Sequence, residues 1–253
     1  MQHEPSMHTA NKNLLFAVII VIAIFLGVTF LIEKRKTTDQ PVESVATSTE
    51  SVADNYEVNE ADLEKIQTVR GIDSTDHVFG STTAPVKVIV YSDFACSFCA
   101  EFEDTLKQVR KDFGDQVTIA FRHFPLSDLQ IESMTAANAS ECAAEQGKFW
   151  EMHDLLFEQN KTGKLSLDQI KENAIDLGLK KEQFNQCLDS QKYNEKIVAE
   201  QQEAKSFNVN GTPTTFVNGE MVIGANPYED VTPENGQKIE GLKNIIGRHL
   251  NDK

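Results

Sequence analysis

"VKVIVYSDFACSFCAEFEDTLKQVRKDFG", residues 86–114, decides the fold. Residues 86–94 follow Pro85 and are apolar almost without interruption, which predicts a strand buried on both faces. The remainder puts Phe98, Phe102, Leu106, Val109 and Phe113 on one helical face, and Gly114 ends the helix. "QVTIAFRHF", residues 116–124, reads as a second strand ended by Pro125. Strand, helix and strand in that order predict a right-handed crossover between parallel neighbours.

Residues 131–207 show no strand pattern and read as a group of helices, with Ser166 as the N-cap of one. "TTFVNGEMVIGA", 214–225, predicts a hairpin, because Asn218-Gly219 suits a type I′ turn. "GQKIEGLKNIIGRHL", 236–250, reads as a closing amphipathic helix. The expected class is therefore α/β, in the order β-α-β, helical insertion, β-β-α.

The N-terminal part is of another kind. After a short tail, residues 1–13, Leu14 to Ile32 carries no charged side chain. As a helix it would span about 28 Å, close to the hydrocarbon thickness of a bilayer. No small-residue cleavage site follows it; "EKRK" does, so 14–32 reads as an uncleaved membrane anchor rather than a signal peptide. Lys12 before it and Lys34, Arg35 and Lys36 after it favour a cytoplasmic C-terminal domain, although long domains translocate largely regardless of flanking charge. Residues 33–76 read as an acidic flexible tether: from 37 to 76 ten acids face two bases, with few large apolar groups. A short helix is expected around "EADLEKIQTV". The folded domain then covers 77–253, with the helical insertion at about 131–207.

A net charge of −15 argues against a general nucleic-acid binder, which needs a basic face for phosphates. Walker, dinucleotide-binding, H-E-x-x-H and G-x-S-x-G motifs are absent from the sequence. Chemistry concentrates instead in four cysteines, at 96, 99, 142 and 187. Cys96 and Cys99 open the predicted helix, where unpaired backbone N–H groups and the helix dipole favour a thiolate. The expected pair is an attacking, exposed Cys96 and a more buried, resolving Cys99. The rivals are half of a zinc site, for which Cys142 and Cys187 have the wrong spacing, and an inert disulfide. Cys142 and Cys187 fall in different predicted helices; a structural disulfide is favoured over two separate buried thiols or a second redox couple. No metal and no organic cofactor is expected. Trp150 and Phe149 read as insertion core, and His123 and His153 as histidines without partners at ligand spacing.

Taken together, "YSDFACSFC" after a strand, "CAAEQGKFWEMHDLLF" in the insertion and "VNGTPTTFVNG" near the end resemble the DsbA-like thiol–disulfide oxidoreductases over roughly 78–250. The resemblance implies a thioredoxin fold with an inserted helical domain, here preceded by one transmembrane helix like that of membrane-attached members. It implies catalytic Cys96 and Cys99, with Thr212-Pro213 in a cis bond beside them and the Thr212 backbone pairing with an extended substrate. Protein thiols are the implied substrates, the outer side of the cell membrane the implied location, and a quinone-linked membrane oxidoreductase the implied reoxidising partner. Oxidation of substrates is the expected direction; reduction or isomerisation on the same scaffold, or a non-enzymatic binding module, are the alternatives. Two positions depart from the family: Ser97 stands where Pro is frequent, and Val90 where a buried Glu is frequent. Asp93 is expected to cap the turn or helix rather than act as a base.

Overall fold

The computed structural model describes residues 69–126, 132–234 and 236–251. The anchor expected at 14–32 and nearly all of the tether lie outside the described residues, as does the short helix expected around "EADLEKIQTV". Among the described residues no helix is long and apolar enough to cross a membrane.

The described chain runs β1 (His77–Phe79), β2 (Val86–Ser92), α1 (Ser97–Phe113), a 3-10 turn (Gly114–Gln116) and β3 (Val117–His123). The insertion follows as α2 (Glu132–Ala144), α3 (Phe149–Lys161), α4 (Leu167–Asp176), α5 (Lys181–Asp189) and α6 (Asn194–Ser206). The closing unit is β4 (Thr214–Val217), β5 (Glu220–Ile223) and α7 (Leu242–Asn251). The five strands order as β1-β3-β2-β4-β5. β2 and β3 are parallel, as their crossover through α1 demands; the other pairs are antiparallel.

β2 is central and buried on both faces, which explains its unbroken apolar run. Val86, Val88 and Val90 pack under α1 and α7 with Phe102, Leu106, Val109, Ile245 and Ile246. Ile89 and Tyr91 face the other way, toward Phe216, Ala204 and Val209. The hairpin turn has positive φ at both Asn218 (47°) and Gly219 (94°), as a type I′ turn requires. Ser166 caps α4 by accepting from the Gln169 N–H.

Three sequence expectations change. β1 was not anticipated: three residues are too short to show a period, and pairing with β3 rather than local pattern makes the strand. The closing helix starts only at Leu242, because Ile239 forms an isolated bridge with Val231. Phe98 was placed on the apolar face of α1, yet it is 62% exposed. It lies in the first turn of α1, beside the buried Cys99.

Candidate active site

The chain leaves β2 at Ser92 and turns before α1. The Asp93 carbonyl accepts from the Cys96 N–H at 3.1 Å, closing the turn. Cys96 is the N-cap of α1, with extended backbone (φ −78°, ψ 122°), and its carbonyl accepts the first helical bond from Ala100. Ser97, Phe98 and Cys99 form the first turn. Ser97 and Phe98 are exposed, whereas Cys99 is 1% and Cys96 only 7% exposed. Cys96 is thus more covered than its expected role suggested, though still the more accessible of the two. Both are free thiols.

The Thr212-Pro213 peptide bond is cis. The Cys96 thiol contacts the Thr212 carbonyl oxygen at 3.6 Å, so the structure brings together the four residues that the sequence placed at the site. The Pro213 carbonyl accepts from Gly224 N–H at 2.9 Å, which fixes the loop to the end of β5. There Ile223, paired with Thr214, is 74% exposed.

The two thiols differ strongly in acidity. A hydrogen bond from the Cys99 thiol is the largest influence on Cys96; burial opposes it, and the Cys99 and Phe98 N–H groups add to it, lowering the Cys96 pKa to about 6. Burial, reinforced by the neighbouring Cys96 sulfur, pushes the Cys99 thiol well above its usual range. One sulfur is therefore a thiolate at neutral pH and the other a thiol, the division that stepwise disulfide exchange requires.

Cys142 of α2 and Cys187 of α5 are joined by a disulfide, with an S–S distance of 2.01 Å and Cα atoms 5.8 Å apart. Bonded to each other, they are not available to complete a four-cysteine zinc site with Cys96 and Cys99.

Asp93 caps the turn as expected, accepting from the Ala95 N–H at 2.9 Å, but other buried polar side chains beyond the thiols were not assigned from sequence. Val90, at the position where a buried Glu is frequent in the family, is apolar and 1% exposed. A different carboxylate, Glu103, is buried on α1 one turn beyond Cys99. Burial raises its pKa; His153 Nε2 and Arg110 each stand 3.6 Å from its oxygens. His153 also pairs through Nδ1 with Asp154 at 3.0 Å, so it is not partnerless. Glu103, His153 and Asp154 form a group of potential metal ligands, against which Arg110 already supplies positive charge. His123 likewise has partners. Its Nε2, His77 Nε2 and Lys196 Nζ meet Glu141 Oε1 at 2.9, 2.8 and 2.7 Å. The available signal for Glu103 was its spacing of four from Cys99, which puts both on one helix face.

A family model described as thioredoxin matches residues 73–233. Over 146 residues the chain is 38% identical to a Na(+)/H(+) antiporter NhaA 1 of Mycolicibacterium vanbaalenii, covering 57% of this chain and 23% of that protein. The chain thus spans only about a quarter of the curated relatives it matches. A thioredoxin-like oxidoreductase from Silicibacter pomeroyi superposes with a TM-score of 0.54 at 26% identity, over 60% of this chain and 85% of the other. BdbD from Bacillus subtilis, in its oxidised form, gives 0.59 at 24% identity, over 72% and 98%. The chain belongs to the thioredoxin family, and its fold is that of the DsbA-like thiol–disulfide oxidoreductases.

Proposed function

We propose that the chain is a thiol–disulfide oxidoreductase that oxidises protein thiols through a mixed disulfide at Cys96. A substrate thiolate attacks the Cys96 sulfur of the Cys96–Cys99 disulfide; the S–S bond breaks and Cys99 leaves as a thiolate that takes up a proton. A second substrate thiolate then attacks the substrate sulfur of the mixed disulfide and expels Cys96 as a thiolate. The substrate loses two electrons, and the enzyme ends as the dithiol. The observation that carries this reading is the stabilised Cys96 sulfur, with a pKa lowered to about 6. A stabilised thiolate is a good leaving group and favours the reduced enzyme, which makes its disulfide an oxidant. This value falls between those of thioredoxin, about 7, and DsbA, about 3.5. Equilibration with glutathione tests the direction. A reduction potential well above about −270 mV fits an oxidase; one near that value makes the protein a reductase.

In this reading residues 14–32 anchor the protein in the cell membrane, 33–76 serve as its tether, and the thioredoxin-fold domain works outside the cytoplasm. The buried Cys142–Cys187 disulfide supports that side of the membrane, since structural disulfides persist in oxidising compartments. The basic residues after the anchor count against it. Reoxidation of the dithiol falls to a quinone-linked membrane partner, by analogy with the family. Protease added to intact cells should digest the domain; protection would refute the placement. An ion-transport role is not taken over from the antiporters, of which this chain matches only 23% of the length.

A further inference from the structure

Asp93 is buried to 2% exposure, three residues before Cys96. Its carboxylate makes three contacts with three different parts of the fold. Oδ1 accepts from the Ala95 N–H at 2.9 Å, within the redox turn. Oδ2 accepts from the Leu126 N–H at 2.8 Å, just past β3. Oδ2 also accepts from the Ser133 hydroxyl at 2.8 Å, in the first turn of α2, and Ser133 is itself fully buried. A carboxylate taken out of water needs such hydrogen bonds in place of its lost hydration, so the three donors and Asp93 depend on one another. A second tie lies beside it: the Asn160 amide at the end of α3 donates to the Phe94 carbonyl at 2.7 Å. Two helices of the insertion therefore grip two consecutive residues of the turn that presents Cys96.

We infer that Asp93 is the positioning residue of the redox site, holding the 93–96 turn against β3 and the insertion so that Cys96 stays aligned with the helix N–H groups and with Thr212. Asp93 does not touch the reacting sulfurs; it acts through the backbone that carries them. The inference rests on the proposed redox role of Cys96. It extends that role to the insertion, which then serves as the outer wall of the redox turn.

The test is Asp93→Asn, which preserves shape but replaces acceptor capacity with an N–H₂ group facing the Leu126 and Ser133 donors. The rate of Cys96 alkylation by iodoacetamide is followed against pH, alongside the thermal unfolding midpoint. The positioning role requires the alkylation midpoint to rise from about 6 to about 7 or higher, so that the thiolate fraction of Cys96 at pH 7 falls by ~2-fold. A lower midpoint would show that Asp93 acts only as a repelling charge. An unchanged midpoint with a lower unfolding temperature would show that it serves the fold alone. Either result overturns the inference. Ser133→Ala removes one donor and leaves the carboxylate, so it keeps the question answerable if the Asn variant does not fold; a smaller rise is expected, and no rise refutes the inference. Alkylation does not need the protein to act on a client. Wild-type protein with a midpoint near 6 but no disulfide exchange would therefore refute the proposed function separately.

Discussion

The Cys96 sulfur meets the Thr212 carbonyl oxygen at 3.6 Å, although 116 residues of chain separate them. The insertion accounts for most of that separation, and the central pairing of β2 with β4 closes it. The Thr212 hydroxyl is buried with no hydrogen-bond partner among the described residues, and the Cys96 thiolate is the acceptor it can stabilise. Thr212→Val, which keeps the shape and loses the hydroxyl, should raise the pH midpoint of Cys96 alkylation above about 6. An unaltered profile would remove the hydroxyl from the set of groups that support the thiolate.

Cys99 supplies the largest stabilising contact to Cys96; in the proposed oxidation it is the sulfur that leaves when Cys96 is attacked, and in the reverse reaction it is the sulfur placed to displace a client from Cys96. Cys99→Ala should therefore do two things at once. Complexes formed by attack of the Cys96 thiolate on disulfide-bonded client proteins should accumulate as bands on non-reducing gels, because Cys99 is no longer there to displace the client. The remaining Cys96 should titrate at higher pH. Cys96→Ser should give neither complexes nor exchange.

The disulfide between α2 and α5 closes a loop of 45 residues. In the chain-entropy account, such a crosslink stabilises by about 4 kcal/mol. The double variant Cys142→Ala with Cys187→Ala should lose about that much in urea unfolding, while folded molecules keep the Cys96 alkylation profile of the wild type. A changed profile would show that the second pair communicates with the first.

Glu141 ties the sheet to the insertion through His77, His123 and Lys196. Burial works against its charge, but the hydrogen bonds from His123 and His77 prevail and hold its pKa far below the usual 4.5. A depressed folded value means that its contribution is fully present above about pH 4.5 and is lost as pH falls below it. Glu141→Gln should cost about 3–5 kcal/mol at pH 7, the range for breaking a buried ion pair. The gap between wild type and variant should narrow in acid. A gap that is constant from pH 7 to pH 3 would contradict this linkage.

Phe98 is an exposed aromatic between the two cysteines. Exposed apolar side chains in such a position offer contact area to a partner. Phe98→Ser should shift stability by no more than about 0.5 kcal/mol. It should raise KM for a reduced protein client and leave exchange with glutathione disulfide nearly unchanged. Equal effects on both would assign Phe98 to the thiol chemistry instead.

The readable parts of the sequence were those where local pattern and tertiary role coincide. β2 announces its central place because both its faces are covered. The redox turn, Thr212-Pro213 and the Asn218-Gly219 hairpin carry residue types that few other structures would require. Glu103 and Glu141 were less legible, because a charged residue in a sequence looks solvated until its partners are known. Glu141 finds donors 64 residues before it and 55 after it, and no local window contains both. β1 was lost for the related reason that its strand character comes from β3.

An enzyme that rearranges disulfides is exposed to its own chemistry, since any accessible cystine in it is a target for its own nucleophile or for a neighbouring molecule's. Cys142 and Cys187 are 1% and 5% exposed; Cys142 is the deeper of the two, and Cys187 lines a surface pocket beside Glu145 and Lys192. The insertion therefore limits the protein's exposure to its own chemistry, because burial leaves little of the crosslink open to a thiolate able to break it.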